Sequence, residues 1–324
     1  MKNNLLVTGG AGFIGSSFVA QQIEKGKKVI ILDKLTYAGK EENISWIKSD
    51  NYKFVKGDIL DENLINKILK EYDIDVIAHF AAESHVDNSI KNPDAFIQTN
   101  INGTHSLLKA ALEQQQKKSH FHFHHISTDE VFGDLPLNSV DKFDEDTPYN
   151  PSSPYSASKA ASDHLVRAYY KTYGLNITIS NCSNNYGPRQ HLEKLIPNTI
   201  NRAINNQEIT IYGDGKNVRD WIHVDDHNRG VDLILEKGEK GQTYCIGGNQ
   251  EINNNDIVNI ICELLDELKP KIDGLSYKNQ ITYVKDRAGH DRRYAINDRK
   301  IRKELGFQTK IKFEDGIKKL INNS

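Results

Sequence analysis

Over its first 182 residues the chain alternates short apolar runs with helix-length patterns, and this alternation constrains the fold more than any other feature. The runs are "LLVTG", "KVIILD", "YKFVKGD", "DVIAHFAA" and "HFHFHHIST"; between them Phe13 to Lys25, Asp61 to Glu71 and Asp94 to Gln115 have helical spacing. Strands separated by helices pair through crossovers, which predicts a parallel sheet covered on both faces. A further helix over Pro154 to Tyr173 leads through Gly174 into "LNITISNC", a sixth strand. Beyond Cys182 the pattern loosens into Asn, Gly and Pro-rich loops with shorter elements. The expectation is therefore an α/β, doubly wound parallel sheet over residues 1–182, completed by part of 217–250 because "RDWIHVDDHNRGVDLILE" is apolar enough to return to it. Residues 183–324 are expected to form mainly a smaller C-terminal α/β lobe closing over the sheet's carboxyl edge.

Composition narrows the function classes. A formal net charge of -2, with acidic and basic residues mixed along 324 positions, leaves no basic block to follow a phosphate backbone, so no nucleic-acid partner is expected. Cys182, Cys245 and Cys262 are widely spaced and contain no CxxC, which suggests neither a disulfide framework nor a zinc knuckle and is simplest in a reducing cytoplasm. No window approaches the ~18 apolar residues of a membrane span, and the start has no basic region or cleavage site, so a soluble, unprocessed protein is expected.

"LLVTGGAGFIGS" places Gly9, Gly12 and Gly15 in GxxGxxG spacing between the first strand and the first helix. Such glycines allow a tight turn, close approach of a pyrophosphate to backbone N–H groups and close packing of helix on sheet. A purely structural turn is the alternative. At the end of the second strand stands Asp33, a carboxylate suited to the adenosine ribose hydroxyls and repulsive to a 2'-phosphate, which favours NAD over NADP; the adjacent Lys34 weakens that preference. Asp58 in "KGDI" would meet the adenine or, alternatively, cap the next helix.

"SPYSASKAASDH" contains Tyr155 and Lys159, whose YxxxK spacing brings both to one helix face. A phenol with a reference pKa of ~10 serves as a base near neutrality only when a positive charge stabilises its anion, and Lys159 one turn away supplies it. On its own the spacing also fits a solvated helix face. "HHISTDEVFGD" then sets Thr128, Asp129 and Glu130 in a row after an apolar run. Were the strand to continue, Asp129 and Glu130 would point to opposite faces. Either the strand stops near Ser127 and turns, or Ser127 and Glu130 form a helix capping box.

Together these motifs resemble the extended short-chain dehydrogenase/reductase family, with its Rossmann-type nucleotide domain, and within it most closely the dTDP-glucose 4,6-dehydratases. "AAESHVD", "SNNYGPRQ", "EKLIP", "YGDGKNVRDWIHVDDH" and "DRAGHDRRYAI" extend the likeness almost end to end; Phe132, where the usual aromatic is often tyrosine, and extra histidines before "HHIST" are mild departures. The resemblance implies an NAD-dependent hydro-lyase acting on a nucleotide sugar in deoxysugar synthesis, specifically towards dTDP-rhamnose. Oxidation at C4 by Tyr155, with Thr128 on the C4 oxygen, would be followed by loss of water across C5 and C6, with Glu130 as base and Asp129 as acid. It implies a cofactor site of Gly9, Gly12, Phe13, Ile14, Gly15, Asp33, Lys34, Leu35, Thr36, Asp58, Ile59, Phe80, Ala81, Ala82, Ser84, Thr99, Tyr155, Lys159 and Asn185. For the substrate it implies Ser84, Thr128, Asn184, Lys194, Leu195, Tyr212, Arg219, Asn254, Arg287 and His290, the arginines matching a diphosphate with a planar fork of donors. It also implies a homodimer through the Asp94–Gln115 and Pro154–Tyr173 helices, using Leu107, Leu108, Leu165 and Tyr169.

Two other readings stay open at this level. An epimerase or decarboxylase of the same fold would share the glycines and YxxxK but has no need for an adjacent acid and base. A non-catalytic dinucleotide-sensing module would need neither pair. His120, His122 and His124 would share one strand face, a geometry that allows a metal, but three ring ligands there also need room and a second shell; a partly exposed strand is the preferred reading and no metal is expected.

Overall fold

The computed structural model describes residues 4–286 and 289–324. Seven strands form one sheet: β1 (Asn4–Thr8), β2 (Lys28–Asp33), β3 (Tyr52–Lys56), β4 (Val76–His79), β5 (His122–Thr128), β6 (Ile177–Cys182) and β10 (Thr243–Ile246). Their order is β10-β6-β5-β4-β1-β2-β3, and every neighbouring pair is parallel. The six strands expected from the apolar runs are all in it, and β10 arrives from the C-terminal half to pair with β6. Alternate residues of β1 serve opposite faces: Leu5 and Val7 pack with Phe18 and Val231, whereas Leu6 packs with Leu107 and Phe123. Both faces are thus closed by helices, as in doubly wound folds.

The remaining strands lie in smaller sheets. β7 (Asn184–Tyr186), β9 (Val218–His223) and β11 (Glu251–Asn253) form one, and β8 (Ile209–Tyr212) pairs with β12 (Ile281–Val284). A separate apolar cluster including Tyr186, Ile196, Trp221, Ile257 and Phe313 packs around them. In the large sheet the chain leaves β1 towards β2 and β3, then crosses back to β4 on the other side. That reversal opens a crevice beyond the carboxyl ends of β1 and β4, the place where open α/β sheets bind ligands.

Three local features depart from the sequence reading. The Asp94–Gln115 pattern is Asp94–Phe96, a wider π-type turn over Ile97–Gly103, and an α-helix over Thr104–Lys117. The wide turn carries Asn100 inward, where its side chain bonds Glu83 N, Glu83 O and Ser158 Oγ at 2.9, 3.0 and 2.8 Å. The resulting helix phase turns Leu107 and Leu108 into the core, 0% exposed, so neither is free to face another subunit; Leu165 and Tyr169 are half-buried. Nor is β5 partly exposed: it is a central, fully buried strand that begins after His120. His122 and His124 are accommodated because Thr178 Oγ1 lies 2.8 Å from a ring nitrogen of each. Among the described residues no group of His, Cys, Asp and Glu is placed to hold a metal ion.

Candidate active site

A cleft of about 330 Å³ occupies the crevice. The glycine turn forms its floor. Gly9 has φ +70, and a Cβ there would stand 2.6 Å from the Ala81 nitrogen; a Cβ on Gly15 would stand 2.2 Å from the Gly9 carbonyl oxygen. Side chains are excluded at both positions, so bare backbone meets the cleft. Gly12 begins the Phe13–Glu24 helix without any side-chain cap, leaving its first-turn N–H groups for an anion. Asp33 ends β2, accepts from Ala11 N at 3.0 Å and Leu35 N at 2.8 Å, and is pushed above the usual carboxylate range by burial. Lys34 is exposed at the cleft and pairs with Asp58 at 2.6 Å, so a carboxylate partly offsets its charge. Asp58 does not cap the following helix; Asp61 does, through Leu64 N. These residues fit a dinucleotide without a 2'-phosphate.

The opposite end of the cleft is built by β5 and the Pro154–Tyr173 helix. That helix has sharp ends because Ser153 and Ser156 form a capping box, Pro154 occupies the first turn, and Gly174 closes it in the left-handed conformation. Tyr155 and Lys159 are consequently fixed at its start, one turn apart and buried. β5 stops at Thr128 and the chain enters a 3-10 turn over Asp129–Phe132, with Thr128 Oγ1 accepting from Glu130 N at 3.2 Å. The opening alternatives thus merge: the stretch does cap a short turn, but Thr128 and not Ser127 caps it. The turn is what brings Thr128, Asp129 and Glu130 together on the cleft wall with Tyr155 and Lys159.

Burial distinguishes the two carboxyl groups. Asp129 is 2% exposed, and burial, reinforced by the charges of Glu130 and Asp220, holds its carboxyl well above the usual range. Glu130 is half-buried beside it. A carboxyl group biased towards its protonated form next to a second carboxyl group is the arrangement that an elimination needs. Burial and the neighbouring Glu130 push the Tyr155 phenol up, while a hydrogen bond with Thr128 opposes them. Burial also lowers Lys159, with Asp163 pulling the other way.

Every cofactor residue expected from the sequence lines the cleft except Leu35, whose backbone instead binds the Asp33 carboxylate. Of the substrate set, Ser84, Thr128, Asn184 and Lys194 line it. Leu195, Tyr212, Arg219, Asn254 and His290 do not, and Arg287 falls outside the described residues. Leu195 opens a helix and packs on the smaller core; Tyr212 is exposed at the end of β8. Asn254 begins another helix, and His290 lies 2.7 Å from Asp286. Arg219 is buried over the Tyr294 ring at 4.1 Å and donates to the carbonyls of Val218 and Asp291, yet its charge reaches Asp129. The cleft also takes in Tyr37, Cys182 and His191, together with Glu83 of "AAESHVD" and Glu193 of "EKLIP", none of which was assigned a site role from the sequence.

The family model described as GDP-mannose 4,6 dehydratase matches residues 6–320. A dTDP-glucose 4,6-dehydratase of Salmonella typhimurium is 51% identical, over 98% of this chain and 91% of its own length. The chain belongs to the dTDP-glucose 4,6-dehydratase family. Among solved structures, the family member DesIV of Streptomyces venezuelae, crystallised with NAD bound, superposes with a TM-score of 0.90 at 43% identity, covering 98% of this chain and 96% of that one. The fold extends beyond the family: a UDP-glucose 4-epimerase of Thermotoga maritima reaches 0.88 at 30% identity, covering 98% and 97%. No helix among the described residues is long and apolar enough to cross a membrane.

Proposed function

We propose that the protein converts dTDP-glucose to dTDP-4-dehydro-6-deoxyglucose, with NAD as its resident cofactor. One observation carries this reading: the turn after β5 sets a buried Asp129, its carboxyl held well above the usual range, beside Glu130 in the same cleft as Tyr155 and Lys159. When bound, NAD supplies a reversible hydride acceptor at C4 and donor at C6. Tyr155 removes the C4 hydroxyl proton, with Thr128 holding the C4 oxygen and Lys159 stabilising the phenolate. The new ketone acidifies C5–H, which Glu130 removes while Asp129 protonates the C6 oxygen, and water leaves. Glu130 returns its proton to C5. Tyr155 then holds one proton more and Asp129 one fewer, and exchange with solvent resets both.

The glycine turn, Asp33 and the Lys34–Asp58 pair support NAD over NADP. Ser84 and Asn184 are assigned to the sugar or pyrophosphate, and Lys194, Leu195, Tyr212, Arg219, Asn254, Arg287 and His290 to the nucleotide-diphosphate side. We take residues 1–182, completed by part of 217–250 that includes the Val224–Lys237 helix and the strand at Thr243–Ile246, as the cofactor-binding unit and 183–324 otherwise as mainly the substrate-binding unit. A homodimer is assigned to the outer sides of the Thr104–Lys117 and Pro154–Tyr173 helices, where His105, Tyr169 and Tyr173 form a chain of edge-on rings. The three free, buried cysteines support a cytoplasmic setting.

An epimerase would use Tyr155 and Lys159 but leave Asp129 and Glu130 without work. Incubation with dTDP-glucose, followed by base, is expected to develop the absorbance of a 4-ketosugar, and product profiling to give the 6-deoxy compound. Recovery of a C4 epimer, or of unchanged substrate, would overturn the reading.

A further inference from the structure

Behind the cleft, the Pro154–Tyr173 helix carries Tyr155, Lys159, Asp163 and Arg167 at successive four-residue steps, stacked along one face. Lys159 is 4% exposed, and its ammonium donates to Ile126 O at 2.7 Å with His125 Nε2 at 3.5 Å. The same Nε2 lies 3.1 Å from Asp163 Oδ1, both side chains being 0% exposed. The other Asp163 oxygen accepts from Ser127 Oγ, Tyr149 OH and Asn181 Nδ2 at 2.9, 2.7 and 3.2 Å. Arg167 in turn donates to Tyr149 OH at 2.7 Å. A buried ammonium is costly unless compensated, and a carboxylate clamped by three donors is a fixed compensating charge.

We propose that His125 and Asp163 are positioning residues that hold Lys159 charged, and so set the pH at which Tyr155 can act as a base. His125 stands between them: its Nε2 lies 3.1 Å from the anion and 3.5 Å from the cation, and as a donor it serves Asp163, the nearer of the two. Asp163 stays ionised although burial works against it, because the His125 bond and the positive charges of Lys159 and Arg167 bring it down to about 2. His125 is held neutral, lowered to about 4 by burial and by Lys159. The groups facing it are Lys159, Asp163 and Arg167 from the helix and His79 from β4, 5.2 Å away ring to ring. Facing Lys159 from β6 is the Cys182 thiol. The consequence for catalysis rests on the proposed role of Tyr155; the charge state of Lys159 does not.

The test reads Lys159 directly, by NMR of protein carrying 13C at lysine Cε, with its signal identified by loss in Lys159→Met. Asp163→Asn is expected to lower the pH at which Lys159 titrates by at least about one unit, tenfold in proton affinity. His125→Gln, which can still accept from Lys159 and donate to Asp163, is expected to stay within about half a unit of the parent. An unmoved Lys159 in Asp163→Asn would overturn the proposal. The unmodified protein gives a check that needs no variant to fold: 15N signals of the His125 ring should show it neutral down to about pH 4, and titration near its ordinary 6.5 would overturn the pair. In single turnovers with dTDP-glucose, the acid limb for forming reduced cofactor is expected to move to higher pH in Asp163→Asn. A limb that stands still or moves to lower pH would refute the catalytic consequence. If the parent forms no reduced cofactor at any pH, the proposed reaction fails, while the Lys159 titration still decides the pair.

Discussion

Replacing Asp129 by Asn should make the protein more stable while stopping its chemistry. Asp129 is 2% exposed; Oδ1 takes one hydrogen bond from Thr128 at 3.3 Å, and Oδ2 has no partner among the described residues. Its folded-state pKa is raised above the ordinary 3.8 by burial and by Glu130 and Asp220. A carboxyl group raised on folding contributes stability that is fully present below 3.8 and is lost as pH rises towards its folded value, because the unfolded chain gives up the proton first. The loss runs at about 1.4 kcal/mol per pH unit over the range in which the folded group keeps its proton and the unfolded one has lost it, and it levels off once pH passes the folded value. Asn does not titrate. Urea unfolding of parent and Asp129→Asn at pH 5, 6 and 7 should therefore show the variant gaining on the parent as pH rises, by at most about 1.4 kcal/mol per unit. At pH 7 the elimination should slow by about 10²–10⁴, the usual worth of a general acid. A stability difference that is flat with pH, or that favours the parent more as pH rises, would refute the reasoning.

Three further outcomes follow from the cleft and its surroundings. Gly15→Ala, whose Cβ would meet the Gly9 carbonyl at 2.2 Å, is expected to cost about 1–3 kcal/mol by overpacking and to weaken NAD binding; melting within a degree of the parent would contradict this. Fluorescence titration of cofactor-free protein should show NAD binding more tightly than NADP, with Asp33→Ser narrowing the gap, and the reverse order would remove the role given to Asp33. Sedimentation at micromolar concentration should give a dimer that Tyr169→Glu weakens, whereas a parent that sediments only as a monomer would sink the proposed interface.

Where local chemistry decides geometry, the sequence was readable. The Pro154 helix announces its start with Ser153 and Pro154 and its end with Gly174, and the bounds fall where those residues set them. The glycine turn and Asp33 were likewise legible, because the cleft there is backbone and one carboxylate. What escaped depends on partners far along the chain. "TYCI" is too short to read as a strand without β6 beside it. The π-type turn at Ile97–Gly103 exists because Asn100 is drawn to Glu83 and Ser158, and it alone decides that Leu107 and Leu108 point inward. His122 and His124 looked too polar for a core strand, and two hydroxyls on β6, Thr178 and Ser180, make them acceptable. Asp163 stood in plain view eight residues after Tyr155, yet nothing in the spacing says that His125 and Tyr149 converge on it.

The division of labour between Tyr155 and Glu130 is the centre of the account, and rapid mixing of NAD-loaded Glu130→Gln with dTDP-glucose under single turnover tests it most directly. Gln keeps the side-chain size and removes the base for C5, leaving Thr128, Tyr155 and Lys159 intact for the oxidation at C4. The expected result is prompt absorbance of reduced cofactor, a 4-keto-glucose nucleotide in the quenched sample and little 6-deoxy product, whereas Tyr155→Phe should be slow to form reduced cofactor at all. If Glu130→Gln is as slow as Tyr155→Phe in that first step, or dehydrates at the parent rate, then Glu130 is not the C5 base and the assignment of the adjacent carboxyl pair is wrong.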